Sequence, residues 1–245
     1  MATQHIVALG GGGFSSEDWT SPLDDFILSL ARCPNPKICF LPTASGDSDV
    51  YVANFYRAFA RRTCRPSDLA LFRRTVVDLR GYLLGQDVIY VGGGNTANML
   101  SIWRRHEVDG ILRGCWESGV VLAGISAGAI CWFEAAVTDS FGPQLAALND
   151  GLRFLPGSAC PHYDSEERRR PTYQRLVGEG FPGGYAVDEG VALHFAGPAF
   201  REAVSSRREG RAYKLELVDG RVIERVIEAR LLGYSLSGPL AGAVP

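Results

Sequence analysis

Gly124-Ile-Ser-Ala-Gly128 constrains what this chain can fold into more than any other stretch. The run before it, Gly119-Val-Val-Leu-Ala123, is apolar enough for a buried strand. The run after it, Ala129-Ile-Cys-Trp-Phe133, reads as the first turns of a buried helix. A strand that turns directly into a helix leaves little room for side chains and forces one residue into a strained backbone region, so glycines flank the serine. Such a turn lifts the Ser126 hydroxyl off the sheet and aims backbone N–H groups at the same point. A serine hydroxyl alone is a weak nucleophile, so the motif has catalytic meaning only with a base beside it.

The pattern repeats along the first half of the chain. Apolar runs at 6–9, 37–41, 87–91 and 120–123 end in turns of small residues at 10–13, 42–45, 92–94 and the serine turn, with a short candidate strand at 75–79. Helical stretches fit between them at about 22–32, 49–63, 96–106, 108–117 and 128–135. Strands separated by helices predict an α/β fold with a mostly parallel sheet and helices on both faces, forming one domain over 1–245. Further strands are expected at 184–187 and 191–195. An alternating pattern at 212–226, split by Asp219-Gly220, predicts a C-terminal β-hairpin. Ligands of parallel α/β sheets bind beyond the carboxyl ends of the strands, where the small-residue turns lie.

Composition narrows the partners. A formal net charge of -2 gives no support for a nucleic-acid or membrane-surface partner. No apolar run approaches the roughly 20 residues of a membrane helix. Residues 1–5 lack the charged region and apolar core of a signal peptide, which makes the cytoplasm the expected location. The six cysteines form no C-x-x-C pair and mostly sit among apolar neighbours, which predicts reduced, buried thiols rather than disulfides or zinc ligands.

Gly10 to Gly13 is a tight turn with close backbone approach rather than a dinucleotide loop, because position 15 is serine and no G-x-G-x-x-G forms. Gly92-Gly-Gly-Asn95-Thr96 ends the strand expected beside that of Ser126. The amides of Gly93, Gly94 and Ala127 are therefore candidates for an oxyanion hole, against the plainer reading of a flexible turn. Among four histidines, His5 and His106 are poorly placed and His194 lies inside a strand. His162, in Ala159-Cys-Pro-His162-Tyr-Asp164, occupies a loop suited to present a ring to a cleft. Its other ring nitrogen needs an acceptor. Glu189 is favoured, with Asp188 and Asp139 as alternatives. Arg168-Arg169-Arg170 follows Glu166-Glu167 and reads equally as a solvated helical face or as a guanidinium that grips a substrate carboxylate.

With Gly92-Gly-Gly-Asn-Thr96, Gly124-Ile-Ser-Ala-Gly-Ala129, Pro161-His162-Tyr163 and Asp188-Glu189-Gly190 in this order, nearly the whole chain resembles the peptidase E family of serine peptidases, which includes aspartyl dipeptidase and, more distantly, cyanophycinase. The resemblance implies a sheet related to class I glutamine amidotransferases, no cofactor and no metal. It implies Ser126 as nucleophile, His162 as base, Glu189 as third member, and the 92–94 loop with the Ala127 amide as oxyanion hole. Aspartyl dipeptidases of the family recognise an N-terminal aspartate through an arginine beyond the histidine. Here that segment is shortened to Ser165-Glu-Glu-Arg-Arg-Arg-Pro171, so that Arg169, Arg170 or neither takes that role, and Asn95 is a further substrate-binding candidate. The expected activity is hydrolysis of short peptides, with a preference for N-terminal Asp, through an acyl-enzyme on Ser126; a homodimer is compatible with the family. Two rivals stand beside it: an α/β-hydrolase-type esterase with the order Ser126, Asp139, His162, and an inactive binding module on the same fold.

Overall fold

Four of the first five strands alternate their side chains between two apolar layers, and that alternation places the sheet in the middle of the molecule. The computed structural model describes residues 3–15 and 20–233; of the domain expected over 1–245, residues 1–2, 16–19 and 234–245 lie outside the described residues. The strands β1 (His5–Leu9), β2 (Lys37–Leu41), β3 (Arg65–Asp68), β4 (Val88–Val91) and β5 (Val121–Ile125) pair in parallel in the order β3-β2-β4-β5-β1. In β4, Val88 and Tyr90 face one layer, while Ile89 and Val91 face the other. The first layer is covered by α1 (Pro22–Ser29) and α2 (Asp49–Phe59) through Leu23, Ile27, Phe55 and Phe59. The second is covered by α3 (Leu79–Leu84), α4 (Thr96–Arg105) and α5 (Val108–Glu117), whose Met99, Trp103 and Leu112 are buried there.

Helix starts follow ordinary capping chemistry. The hydroxyls of Ser21 and Ser48 accept the amides of Leu23 and Tyr51, and Pro22 occupies the first turn of α1, where a missing N–H costs nothing. One buried polar group interrupts the first layer. Asp24 is fully buried, with its carboxylate 3.6 Å from Arg62, and burial raises its pKa to about 7.

The structure corrects the expected elements in several places. Residues 75–79 form no strand; the partner of β2 is the polar β3, and α3 begins at Leu79 behind the Asp78 cap. The helices expected at 22–32 and 49–63 end at Ser29 and Phe59. The helix expected at 128–135 stops after one turn, α6 (Ala127–Ile130), and Phe133 opens a strand.

The second half of the chain is mixed. It comprises β6 (Phe133–Thr138), β7 (Ala146–Leu148), β8 (Leu155–Cys160), β9 (Gly184–Val187), β10 (Val191–Ala196), β11 (Ala199–Ser205), β12 (Arg211–Val218) and β13 (Arg221–Leu231), with α7 (Arg169–Gly178) packed on β12 and β13. The full order is β3-β2-β4-β5-β1-β10-β11-β13-β12-β9-β8-β6-β7, a 13-stranded sheet. Antiparallel β12 and β13 turn around Asp219 and Gly220, both at positive φ. The start of β13 pairs with β12 and its end, at Ala229, Arg230 and Leu231, with β11, so one strand joins the two parts of the sheet. The six cysteines are free, and Cys39, Cys115, Cys131 and Cys160 are buried. Among the described residues, no helix is long and apolar enough to cross a membrane.

Candidate active site

The chain leaves β5 at Ile125, turns at Ser126 and enters α6 at Ala127. Ser126 has φ 53° and ψ -112°, a conformation that side-chain-bearing residues rarely hold. The glycines make this turn possible by close approach: a Cβ on Gly124 would stand 2.0 Å from the Gly128 carbonyl oxygen, and one on Gly128 would stand 2.3 Å from that of Val91. The serine amide donates to the Leu9 carbonyl, which ties the turn to β1.

His162 follows β8 in a short turn, itself at φ 52°. Its amide donates to the Gly10 carbonyl at 3.1 Å, and the Tyr163 amide donates to Val187. The ring is thereby carried across to the serine: Nε2 lies 2.8 Å from Ser126 Oγ, and Nδ1 lies 2.8 Å from Glu189 Oε2. The Glu189 carboxylate fits against the first loop only because residue 11 is glycine, where a Cβ would stand 2.0 Å from it. Gly10 and Gly11 therefore serve the site through close approach of the backbone. The imidazole side chain is 20% exposed and the carboxylate 40% exposed, enough for substrate to reach the ring.

The alternatives for the acid lie elsewhere. Asp188 is buried and accepts the Arg211 amide; burial, and then the nearby Asp164 carboxylate, raise its pKa to about 6. Asp139 lines the cavity in front of Ser126, and the Nδ1 partner is Glu189 rather than either aspartate. That cavity measures about 270 Å3 and is lined by Gly94, Asn95, Ser126, Asp139, His162, Glu166 and Arg169.

The two arginines of the sequence reading separate. Arg169 is buried at the cavity wall, where Nε donates to Glu166 at 2.7 Å and Nη1 to the Val137 carbonyl. Arg170 is not among the lining residues; its guanidinium pairs with Glu224 and lies over the rings of Tyr163 and Tyr213. One residue further along α7, Arg170 is thus turned to a different side from Arg169. Asn95 reaches the cavity, but its side chain is committed, accepting the Asn98 amide as the cap of α4 and donating to the Ser140 carbonyl.

The two glycine amides beside the serine also differ. Gly93 donates to the Tyr51 hydroxyl at 3.2 Å, and that hydroxyl in turn pairs with Ser15. Gly94, at φ 134°, borders the cavity directly. Tyr51 and Glu166 carried no signal in the sequence beyond the three-residue spacing that sets Glu166 against Arg169. Among the described residues, no group of three or more His, Cys, Asp or Glu is placed to hold a metal ion.

The sequence profile of peptidase family S51 matches residues 6–203. The chain belongs to this family, that of peptidase E. Its relatives include the uncharacterized peptidase YgaJ of Bacillus subtilis, 49% identical over 231 residues that span 94% of this chain and 100% of that one. Peptidase E of Shewanella denitrificans is 26% identical over 191 residues, covering 72% of this chain and 78% of its own. A solved structure of a peptidase from an acI-B1 Actinobacterium shares the fold at a TM-score of 0.65 and 17% identity, over 93% of this chain and 95% of that one. A peptidase function follows from membership of the family.

Proposed function

We propose that this S51 peptidase is of the serine type and cleaves short peptides through an acyl-enzyme on Ser126. The observation that carries the reading is the unbroken relay from Ser126 Oγ to His162 Nε2 and from His162 Nδ1 to Glu189, both contacts at 2.8 Å. Ser126 Oγ attacks the scissile carbonyl carbon while its proton passes to His162 Nε2, and Glu189 stabilises the resulting imidazolium. The oxyanion is received by the amides of Gly94 and Ala127. The Gly93 amide joins them only by giving up its bond to Tyr51. The C–N bond then breaks as His162 returns the proton to the leaving amine. Water, deprotonated by the same ring, releases the acid and restores the serine.

A cavity of about 270 Å3 suits a residue or two of substrate rather than a long chain. The finer preference for N-terminal aspartate rests on Arg169, the one arginine at the cavity wall among the described residues, and requires a substrate carboxylate to share that guanidinium with Glu166. On the same reading the sheet is of the amidotransferase kind, with serine in place of cysteine at the turn, and the protein works in a reducing cytoplasm, which the free cysteines suit.

The test is hydrolysis of dipeptides carrying N-terminal Asp, Glu, Asn, Leu or Ala by the wild type and Ser126→Ala. Cleavage that falls by more than about 10^4-fold in the variant is expected. A Ser126→Ala protein with near-normal turnover would falsify the serine mechanism. Cleavage of the Asp substrate alone supports the arginine anchor; equal cleavage across the panel removes it.

A further inference from the structure

We propose that Asp164 is a positioning residue of the catalytic relay, bracing the Glu189 turn against the His162 loop; the proposal rests on the serine-peptidase reading above. The base and the acid lie on separate segments, joined by the pairing of β8 with β9 and by the Tyr163 amide to the Val187 carbonyl, but neither of these contacts reaches residue 189. Asp164 sits two residues after His162, and its Oδ1 accepts the Glu189 amide at 2.8 Å. Its other carboxylate oxygen takes the guanidinium of Arg207. A residue of the base's own loop therefore grips the backbone of the acid.

The flanks of the acid turn are held separately. The Gly190 carbonyl accepts the Ser206 amide at 2.9 Å and the hydroxyls of Ser206 and Ser205. Asp188 and Arg211 exchange two bonds, the Asp188 amide to the Arg211 carbonyl and the Arg211 amide to Asp188 Oδ2. The turn from Ser205 to Arg211 thus secures residues 188 and 190, and Asp164 alone secures the amide of residue 189 among the described contacts. Burial pushes the Asp164 carboxyl up, but the Glu189 amide and Arg207 outweigh it and hold the group below the ordinary carboxylate range. It is charged at neutral pH, and a charged acceptor makes a stronger bond than a neutral one. The Glu189 carboxylate lies against Gly11, and a shift of its backbone moves the carboxylate relative to the ring.

The rate of Ser126 labelling by a fluorophosphonate reads nucleophile activation without requiring the natural peptide. Asp164→Ala should slow labelling about 10- to 100-fold, since a misplacement near 1 Å costs on that order. Asp164→Asn keeps an acceptor oxygen and should return to within about threefold of wild type. Arg207→Met should slow labelling about two- to fivefold. A scaffold role alone would not produce rescue by asparagine. Labelling of Asp164→Ala at the wild-type rate, or equal slowing in the alanine and asparagine variants, overturns the brace. If Asp164→Ala gives no cooperative unfolding transition, Arg207→Met carries the test, and a wild-type rate there overturns it. Ser126→Ala is the control: a wild type that does not label, or a Ser126→Ala protein that does, defeats the serine reading itself rather than the brace.

Discussion

The nucleophile and the base–acid pair are built by opposite means. Ser126 is placed by backbone packing: a buried apolar strand, a one-turn helix and glycines whose missing side chains let carbonyls come within van der Waals distance. His162 and Glu189 are placed by polar contacts between segments far apart in sequence, at partly exposed turns. The difference teaches which half of a catalytic relay is rigid by construction and which depends in part on a charged side chain, that of Asp164, which a single substitution can remove.

The strongest way to probe the polar half is Glu189→Gln. It leaves the shape of the turn and removes the charge that stabilises the imidazolium, and it should lower kcat/KM about 10^3- to 10^4-fold with the fold intact by circular dichroism. Loss of less than about tenfold would mean that another acid takes over. Gly11→Ala tests the seam between the halves. A methyl placed 2.0 Å from the Glu189 carboxylate must push it aside, and labelling by a fluorophosphonate should slow about 10- to 100-fold.

The packed half carries its own pH dependence, through Asp24. Its folded pKa of about 7 lies above the unfolded value near 4, so the folded chain keeps a proton that the unfolded chain loses. The stabilisation is complete below about pH 4 and is lost as pH rises towards 7, with a slope of at most about 1.4 kcal/mol per pH unit. Asp188, at about 6, contributes in the same direction. Urea unfolding of Asp24→Asn between pH 4 and 8 should show a flatter profile than wild type; an unchanged slope assigns the effect elsewhere. The smallest effect is expected from Arg170→Ala, which removes a surface pair and two ring contacts. Peptidase turnover should stay within about twofold and stability fall by about 1 kcal/mol. A large rise in KM for an Asp substrate would return Arg170 to the site.

The same contrast explains what was legible in the sequence. The strands β1, β2, β4 and β5 are short apolar runs closed by small residues, and each lies within a residue or two of its expected place. Their shared turns marked the end of the sheet where the site lies. By contrast, Ala135 and Ala136 of β6 suit a buried helix as well as a strand, and only pairing with β7 and β8 decides between them. Arg65-Pro-Ser-Asp68 has no apolar pattern at all and becomes a strand because β2 offers an edge. Adjacent residues were the hardest to tell apart. Asp188 and Glu189 differ by one step around a turn, and Arg169 and Arg170 by one step around a helix; three-dimensional contacts send each pair in different directions. Tyr51 reaches the site from a segment whose local pattern carries no catalytic signature, and Asp164, although it lies in the loop of the base, has a contact to residue 189 that only the fold reveals.

The backbone of Ser126 has a consequence for how this chain can change over time. At φ 53° and ψ -112° the residue sits where glycine is at ease and serine is not, at a cost of about 1–3 kcal/mol. Replacing it with glycine should silence the protein and raise its melting temperature, whereas alanine should silence it without that gain. The reactive centre is thus also a reserve of thermal resistance, open to any descendant that has no further use for a nucleophile.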